Sequence, residues 1–490
     1  MAEPLRPDGT AVRVGDIVVV SPGLTGRVEV LPPGSEGMRA AEDARAVLLA
    51  ALAREGFSEQ LTVRLIDPVE VPELASGTSR ATSLGEPAIT VEVPGPGAGL
   101  GQLILAADED GALSWHLPDD IDPVDVPDRG GDRRTYTFVR AVAPVDPGAS
   151  RGLIGAVGSK LLKVLVFPLI DPVLGKVGDH FVSRWEQHNR PVRLRQFTVG
   201  GHRESSAASV DWSSLSAGPA LLFLHGTGSQ SHTGFHGVSD EVLSTLHTRY
   251  GGRVFAYDHH TIATDPVANA RSLVAQIPVD AGLRLDIVAH SRGGLVGRVL
   301  CELPGEIGLT TERMSVRTLV MVATPNAGTP LCDPAHVAKW LDRMTNLLQW
   351  VPDNGITDML DVVLTVVKQV AVGAFRGLSG LMSMDPKGSF LERLNQPSAH
   401  SVAYRALASN YDPPKGSSLL RSARNVATDS VFGSAHNDLV VPTDGVFAAN
   451  GAFGFPVGEV ELFDAEVGVD HSGYWTQPRF AAAVDRWLVG

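Results

Sequence analysis

Ser291 stands at the apex of the segment Leu283 to Arg298, LRLDIVAHSRGGLVGR. A serine hydroxyl is a weak nucleophile. It does covalent chemistry only with a base to take its proton, a group to orient that base, and donors for the oxyanion that forms. The run Leu285 to Ala289, interrupted only by Asp286, predicts a buried strand. His290-Ser291-Arg292-Gly293-Gly294 follows as a sharp Gly-rich turn. Leu295, Val296, Val299 and Leu300 then carry the spacing of an amphipathic helix. Strand, tight turn with serine at its apex, helix is the layout of a nucleophile elbow. The usual pattern is Gly-x-Ser-x-Gly. Ala289 takes the first place here and Gly293 keeps the last. A serine at such a turn would serve equally as a helix N-cap, so the rest of the chain has to decide.

Each further part of the chemistry has a candidate, in the chain order Ser, Asp, His. After an apolar strand ending at Leu224 comes His225-Gly226-Thr227-Gly228-Ser229. A turn of that kind at the carboxyl end of a strand lets backbone N–H groups point into a site. The N–H of Thr227 and that of Arg292 are the expected oxyanion donors, each worth roughly a few kcal/mol to a developing charge. Asn437-Asp438-Leu439-Val440-Val441-Pro442 offers Asp438 as the orienting acid, with Asp444 the alternative. A lone Asp in a loop is otherwise a turn former. His471, in VDHSGYW before the last helical pattern, is the expected base, since a near-neutral imidazole moves protons in both directions. His225, Gly226 and His290, inside the two turn motifs, are expected to bind substrate. His259 and His260 follow a strand and read as structural or solvated.

The elements that must position these residues fill the second half of the chain. Pro219–Leu224, Arg253–Tyr257, Leu285–Ala289, Val316–Ala323 and Ser401–Ala408 read as strands. Helical patterns near 239–249 and 267–277 alternate with them, which predicts an α/β sheet with helical crossovers. Length supports two domains: 490 residues exceed one ordinary core. Residues 1–205 read as a smaller α+β or mainly β domain of unknown role, and residues 206–490 as the α/β domain. Within the first, the apolar stretch 151–188 reads as helical, with Lys160 and Lys163 on one face. It is expected to pack on the following domain, with a membrane-surface helix the alternative. Gly95–Gly101 (GPGAGLG) lacks the spacing of a dinucleotide loop and reads as a hairpin loop.

Net charge is −14, which excludes nucleic acid as a general partner. Two cysteines, Cys301 and Cys332, lack metal spacing and point to a reducing, cytoplasmic compartment. The N-terminus carries no basic-then-apolar signal pattern, and every long apolar stretch is broken by Lys, Asp, Pro or Gly.

The motifs resemble those of the α/β-hydrolase superfamily, in particular bacterial lipases and esterases with Ala at the first elbow position. They also resemble lipase-like domains related to GPI-inositol deacylases. The carriers are HGTG at 225–228, AHSRGG at 289–294, ATPNAGTP at 323–330, Asp438 with its VVP, and His471. The resemblance covers about 219–490. It implies a triad of Ser291, Asp438 and His471, no metal or cofactor, and a small-molecule or lipid ester as substrate. It also implies that the insertion of about 330–400, with apolar helical patterns at Trp340–Trp350 and Met359–Leu381, is a lid or cap. A packed crossover subdomain is the alternative. Arg292 is bulkier than many residues at its position, and residues 1–200 match nothing in the superfamily; both leave the substrate open.

Three readings of function follow. The first is a serine ester hydrolase working through an acyl-enzyme, from which acyl transfer to an alcohol or amine would also proceed. The second is a binding or effector protein on a hydrolase frame, its long N-terminal region contacting a partner of unknown identity. The third is a peripheral membrane lipase docking through Leu153–Ile170 and the insertion.

Overall fold

A computed structural model describes residues 2–35, 42–71, 88–107, 113–119, 133–139, 160–169, 181–206, 208–333, 340–345 except 343, 353–371, 378–397, 401–411, 431–449 except 434, 455 and 457–488. The chain forms two compact units. The first comprises Met1–Phe181 and Ala338–Arg376, the second Val182–Val337 and Gly377–Gly490.

Among the described residues the strands of the first unit are β1 Glu3–Pro4, β2 Val12–Val14, β3 Ile17–Val20, β4 Leu24–Leu31, β5 Ser58–Glu70, β6 Ala88–Pro94, β7 Leu100–Ala107, β8 Leu113–His116, β9 Arg133–Val139 and β10 Lys160–Pro168. They lie in two antiparallel sheets, ordered β1-β4-β5-β10-β7-β8 and β2-β3-β6-β9. Alternating residues of both sheets share one core, with Val19, Val91 and Tyr136 from one and Val28, Val63, Ile104 and Val164 from the other.

Two expectations change here. Lys160–Pro168 is a strand between β5 and β7, not part of a helix. Leu162, Val164, Leu165 and Phe167 are buried, so they cannot form the apolar face of a membrane-surface helix. The apolar run LLKVLVF, broken only by Lys163, suits a strand covered on both faces. Two lysines three apart cannot distinguish that from a helix. The flanking 151–159 and 170–180 lie outside the described residues; Phe181–Asn189 is helical as expected. The Gly-rich 95–101 segment carries the chain from β6 in one sheet to β7 in the other, so it is no hairpin.

The insertion also divides differently from the expected cap. Residues 338–376 belong to the first unit, where the sequence reading put one boundary near 205 and the whole insertion in the second. Helix Asp353–Ala371 buries Val363, Leu364, Val366, Val367 and Val370. It packs on helix Glu42–Arg54 and on β7. Arg54 pairs with Asp361 at 2.7 Å and Lys368 with Glu55 at 2.8 Å. Trp115 donates its indole N–H to Thr345 at 2.7 Å. An apolar helix of 19 residues must cover its face against something, and this sheet supplies the surface. Leu347, Leu348 and Trp350 lie outside the described residues.

The second unit is an α/β-hydrolase sheet. Its strands are β11 Arg193–Gln196, β12 Pro219–Leu224, β13 Val254–Asp258, β14 Leu283–His290, β15 Met314–Val322, β16 Ala403–Ser409 and β17 Val457–Phe463, ordered β11-β13-β12-β14-β15-β16-β17. All neighbours are parallel except β11 with β13. Phe223, Val288 and Val320 face one way, into a core with helices Asp240–Arg249 and Pro478–Trp487. Their neighbours Leu224 and Leu319 face Gly297 of helix Gly293–Glu302 on the other side. Sequential strands lie on opposite sides of β12, so the carboxyl ends of β12 and β14 form a topological switch point, where such sheets place their sites.

In the first unit, Lys163 is buried in β10 and pairs with Glu59 at 2.6 Å. Lys163→Met alone strands the carboxylate and should cost about 3 kcal/mol, whereas adding Glu59→Leu should recover most of it. Denaturant unfolding of the three variants checks this. A single-variant loss below about 1 kcal/mol would mean the pair behaves as a surface pair.

Candidate active site

The turn after β14 holds Ser291 at φ +51°, in the left-handed region. Its N–H donates to Val322 O at 2.7 Å, which ties the turn to β15. The room for this turn comes from glycines. A Cβ on Gly226 would lie 2.8 Å from the Ser291 Cβ. A Cβ on Gly293 would run into the carbonyl oxygens of Leu224 and His225, and one on Gly294 into the Thr324 side chain. The end of β12 and the elbow thus meet at backbone contact.

Ser291 Oγ lies 3.0 Å from His471 Nε2, and His471 Nδ1 lies 2.8 Å from Asp438 Oδ2. The three side chains form one continuous hydrogen-bonded chain. Ser291 is 4% exposed, His471 9% and Asp438 1%. The Asp438 turn is closed by bridge pairing of Asn437 with Pro442 and by Leu439 at φ +82°. Its other oxygen, Oδ1, accepts the N–H groups of Val440 at 3.1 Å and Val441 at 2.8 Å. Turn former and histidine partner are therefore one carboxylate. Burial alone would raise the Asp438 carboxyl. The charge of His471 and the hydrogen bonds from His471, Val441 and Val440 outweigh it and hold the group below its ordinary value. Asp444, the alternative acid, is exposed on the turn Asp444–Val446. The His471 backbone N–H donates to Asp438 O at 2.9 Å, so the two loops are joined twice.

The turn after β12 is organised by His225. Its Nε2 accepts the His259 N–H at 3.1 Å, which leaves Nδ1 as the protonated nitrogen facing Gly226 O at 3.1 Å. Ser229 Oγ donates to the same carbonyl at 3.0 Å. The carbonyl of a trans peptide points opposite to the following N–H, so both bonds turn the Thr227 N–H away from His225. Among the described residues, neither that N–H nor the Arg292 N–H has a hydrogen-bond partner. His290 is also buried, its Nε2 2.9 Å from His471 O. His225 and His290, expected against substrate, each face a backbone carbonyl through one ring nitrogen. His259 stacks on His225 with ring centroids 4.2 Å apart, and His260 meets Arg190 O at 2.9 Å.

Several residues of the site carry no local signal. Arg292 sends its buried guanidinium to Gly380 O at 2.9 Å and to Thr264 O, which joins two loops beside the elbow. Burial lowers it to about 10. Glu186 accepts the N–H groups of Thr261, Ile262 and Ala263, at 2.7 to 3.0 Å. Tyr474 donates to Asp438 Oδ2 at 3.1 Å. Only its place three residues after His471 could have drawn attention to it. Among the described residues no group of three or more His, Cys, Asp or Glu could hold a metal ion, and no helix is long and apolar enough to cross a membrane.

The sequence model of a family described as a domain of unknown function (DUF7379) matches residues 189–489, more than half of the chain. The chain belongs to that family. The DUF7379 match spans the whole parallel sheet from β11 to β17 and all three hydrogen-bonded residues. No curated protein matches the chain. Similar solved structures include lipase BlEst2 of Bacillus licheniformis in mature form, at 17% identity over 56% of this chain and 92% of that one, TM-score 0.35. Lipase 1 from Pelosinus fermentans is similar at 14% identity over 54% and 94%, TM-score 0.36. Phospholipase PlaB from Legionella pneumophila is similar at 16% identity over 47% and 45%, TM-score 0.30. The hydrolase fold of this DUF7379 member rests on its own strand order and elbow.

Two outcomes are expected. Gly293→Ala forces backbone against backbone and should cost about 3 kcal/mol or more, read as a drop in unfolding midpoint. Burial lowers His225 from 6.5 to about 4, His290 from 6.5 to about 3, and His259 well below 6.5. Below pH 6.5 the unfolded chain therefore binds protons that the folded one refuses. Stability must rise with pH in the window down to about 4, and fall on acidification, by up to about 1.4 kcal/mol per pH unit for each ring. The melting temperature should drop steadily from pH 7 to pH 5; a flat curve over that range contradicts three neutral buried imidazoles.

Proposed function

We propose that this protein is a serine hydrolase of carboxylic esters. The observation that carries the reading is the chain Ser291 Oγ, His471 Nε2, His471 Nδ1, Asp438 Oδ2, with links of 3.0 and 2.8 Å, at the apex of a left-handed turn. Ser291 attacks the ester carbonyl while His471 takes its proton. Asp438 holds the tautomer with Nδ1–H and stabilises the imidazolium. The Thr227 and Arg292 N–H groups receive the oxyanion. His471 returns the proton to the leaving alcohol. It then takes one from water, whose attack releases the acid and frees Ser291. Small-molecule and lipid esters both fit this chemistry. An alcohol or amine in place of water would give acyl transfer from the same acyl-enzyme.

The test is hydrolysis of p-nitrophenyl esters of graded chain length, with labelling by a fluorophosphonate. Ser291→Ala should abolish labelling and lower kcat by about a thousandfold or more, with KM little changed. His471→Ala should do the same. A wild-type protein that neither turns over any ester nor takes the label would overturn the reading and favour a binding protein on this frame.

A further inference from the structure

Asp438 does not hold His471 alone. Its Oδ2 carries two donors, His471 Nδ1 at 2.8 Å and the Tyr474 hydroxyl at 3.1 Å, while Oδ1 carries the two amides of Val440 and Val441. The carboxylate is saturated by four donors, of which only the imidazole changes charge during turnover. Tyr474 is fully buried, and its ring meets Phe463 edge-on at 5.7 Å. It follows His471 within the short turn Gly473–Thr476. One rigid stretch of chain therefore supplies three bonds to Asp438: the His471 N–H, the His471 ring and the Tyr474 hydroxyl.

We infer that Tyr474 is a positioning residue that sets the orientation and the basicity of the Asp438–His471 pair. The inference rests on the ester hydrolase reading for its kinetic consequences, but not for its geometry. The shared oxygen is the point of the argument. A donor on Oδ2 pins the carboxylate plane, so that this oxygen faces Nδ1 throughout the reaction. It also draws charge from the oxygen that pulls on the imidazole proton. The ring then gives up its acquired proton more readily to the leaving group than it would opposite a bare carboxylate.

The direction of the bond is settled by the environment. Burial first, then the Asp438 charge, raise the phenol well above its ordinary value, so it keeps its proton and donates it to the carboxylate oxygen. During attack the Ser291 proton goes to His471 Nε2, Nδ1–H stays on the ring, and the phenol proton stays on Tyr474. No proton moves through Tyr474. The other titratable groups facing the pair are Asp470, raised by burial and accepting the Ser472 N–H at 2.9 Å, and His290, whose ring lies 5.0 Å from that of His471. Behind His290 lies His225, which acts on it electrostatically. None of these is bonded to Oδ2.

The experiment compares Tyr474→Phe with the full-length wild type and with Phe463→Leu. The first removes a single oxygen. The second disturbs the packing of the Tyr474 ring and leaves its hydroxyl in place. The readouts are the pH profile of kcat/KM on a short p-nitrophenyl ester, melting temperature, and the titration of the His471 ring by 15N NMR. Tyr474→Phe should lower kcat by about tenfold with KM unchanged, and move the acid limb and the ring titration upward by roughly half a pH unit. Phe463→Leu should lower the melting temperature and leave the acid limb where it was. An unmoved ring titration in Tyr474→Phe overturns the inference, as does equal movement in both variants. If the wild type proves inactive on every ester, the hydrolase reading fails by itself. The NMR titration then still decides the role of Tyr474, by moving or staying.

Discussion

The arrangement depends on one close approach, that of the elbow turn to the end of β12. Ser291 sits at φ +51°, a conformation that costs a non-glycine residue roughly 1 kcal/mol or more. What holds it there is the packing of Gly226 and Gly293 against neighbouring backbone, with the Ser291 N–H bonded to β15. Three adjacent parallel strands thereby fix one hydroxyl. The same close approach joins the turn after β12 to the elbow, so the two turns cannot be placed independently. The strain is local, and the sheet that bears it is the best-buried part of the second unit.

Around that contact the protein substitutes fixed polar groups for water. His225, His259 and His290 are buried and uncharged, and each orders a backbone group. Arg292 and Glu186 are buried charges that bond backbone carbonyls and amides. Such groups are expensive to bury, and here the bonds they do make give definition to loops that have no regular structure. The Asp438 turn follows the same logic: two amides on one oxygen, two side chains on the other.

The first unit solves a different problem. Its two sheets share a core, and helix Asp353–Ala371 packs on β7 of the larger sheet and on helix Glu42–Arg54. The covering helix comes from a segment almost two hundred residues beyond β10 in sequence. Hydrophobic burial is indifferent to sequence distance, and the closure entropy of a longer loop grows only slowly with its length.

Much of the second unit was legible from residues alone. The elbow, the HGTG turn and the alternation of strands with helices are short-range patterns, each dictated by backbone sterics or by burial period over a few positions. Ser291, Asp438 and His471 could be named because each terminates or follows such a pattern. Tertiary structure decided the rest. Lys160–Pro168 carries a run that suits strand or helix equally, and pairing with β5 and β7 chose between them. The insertion's apolar helix declares that it needs a partner but not which one. His290 meets the carbonyl of His471, far away in sequence, a contact that no local pattern reveals. Tyr474, Glu186 and the Arg292 guanidinium act across loops distant in sequence, and a hydrogen bond depends on position in space. Residue types and short-range spacing specify the candidates; which side chains meet is set by packing between elements and not by periodicity within them.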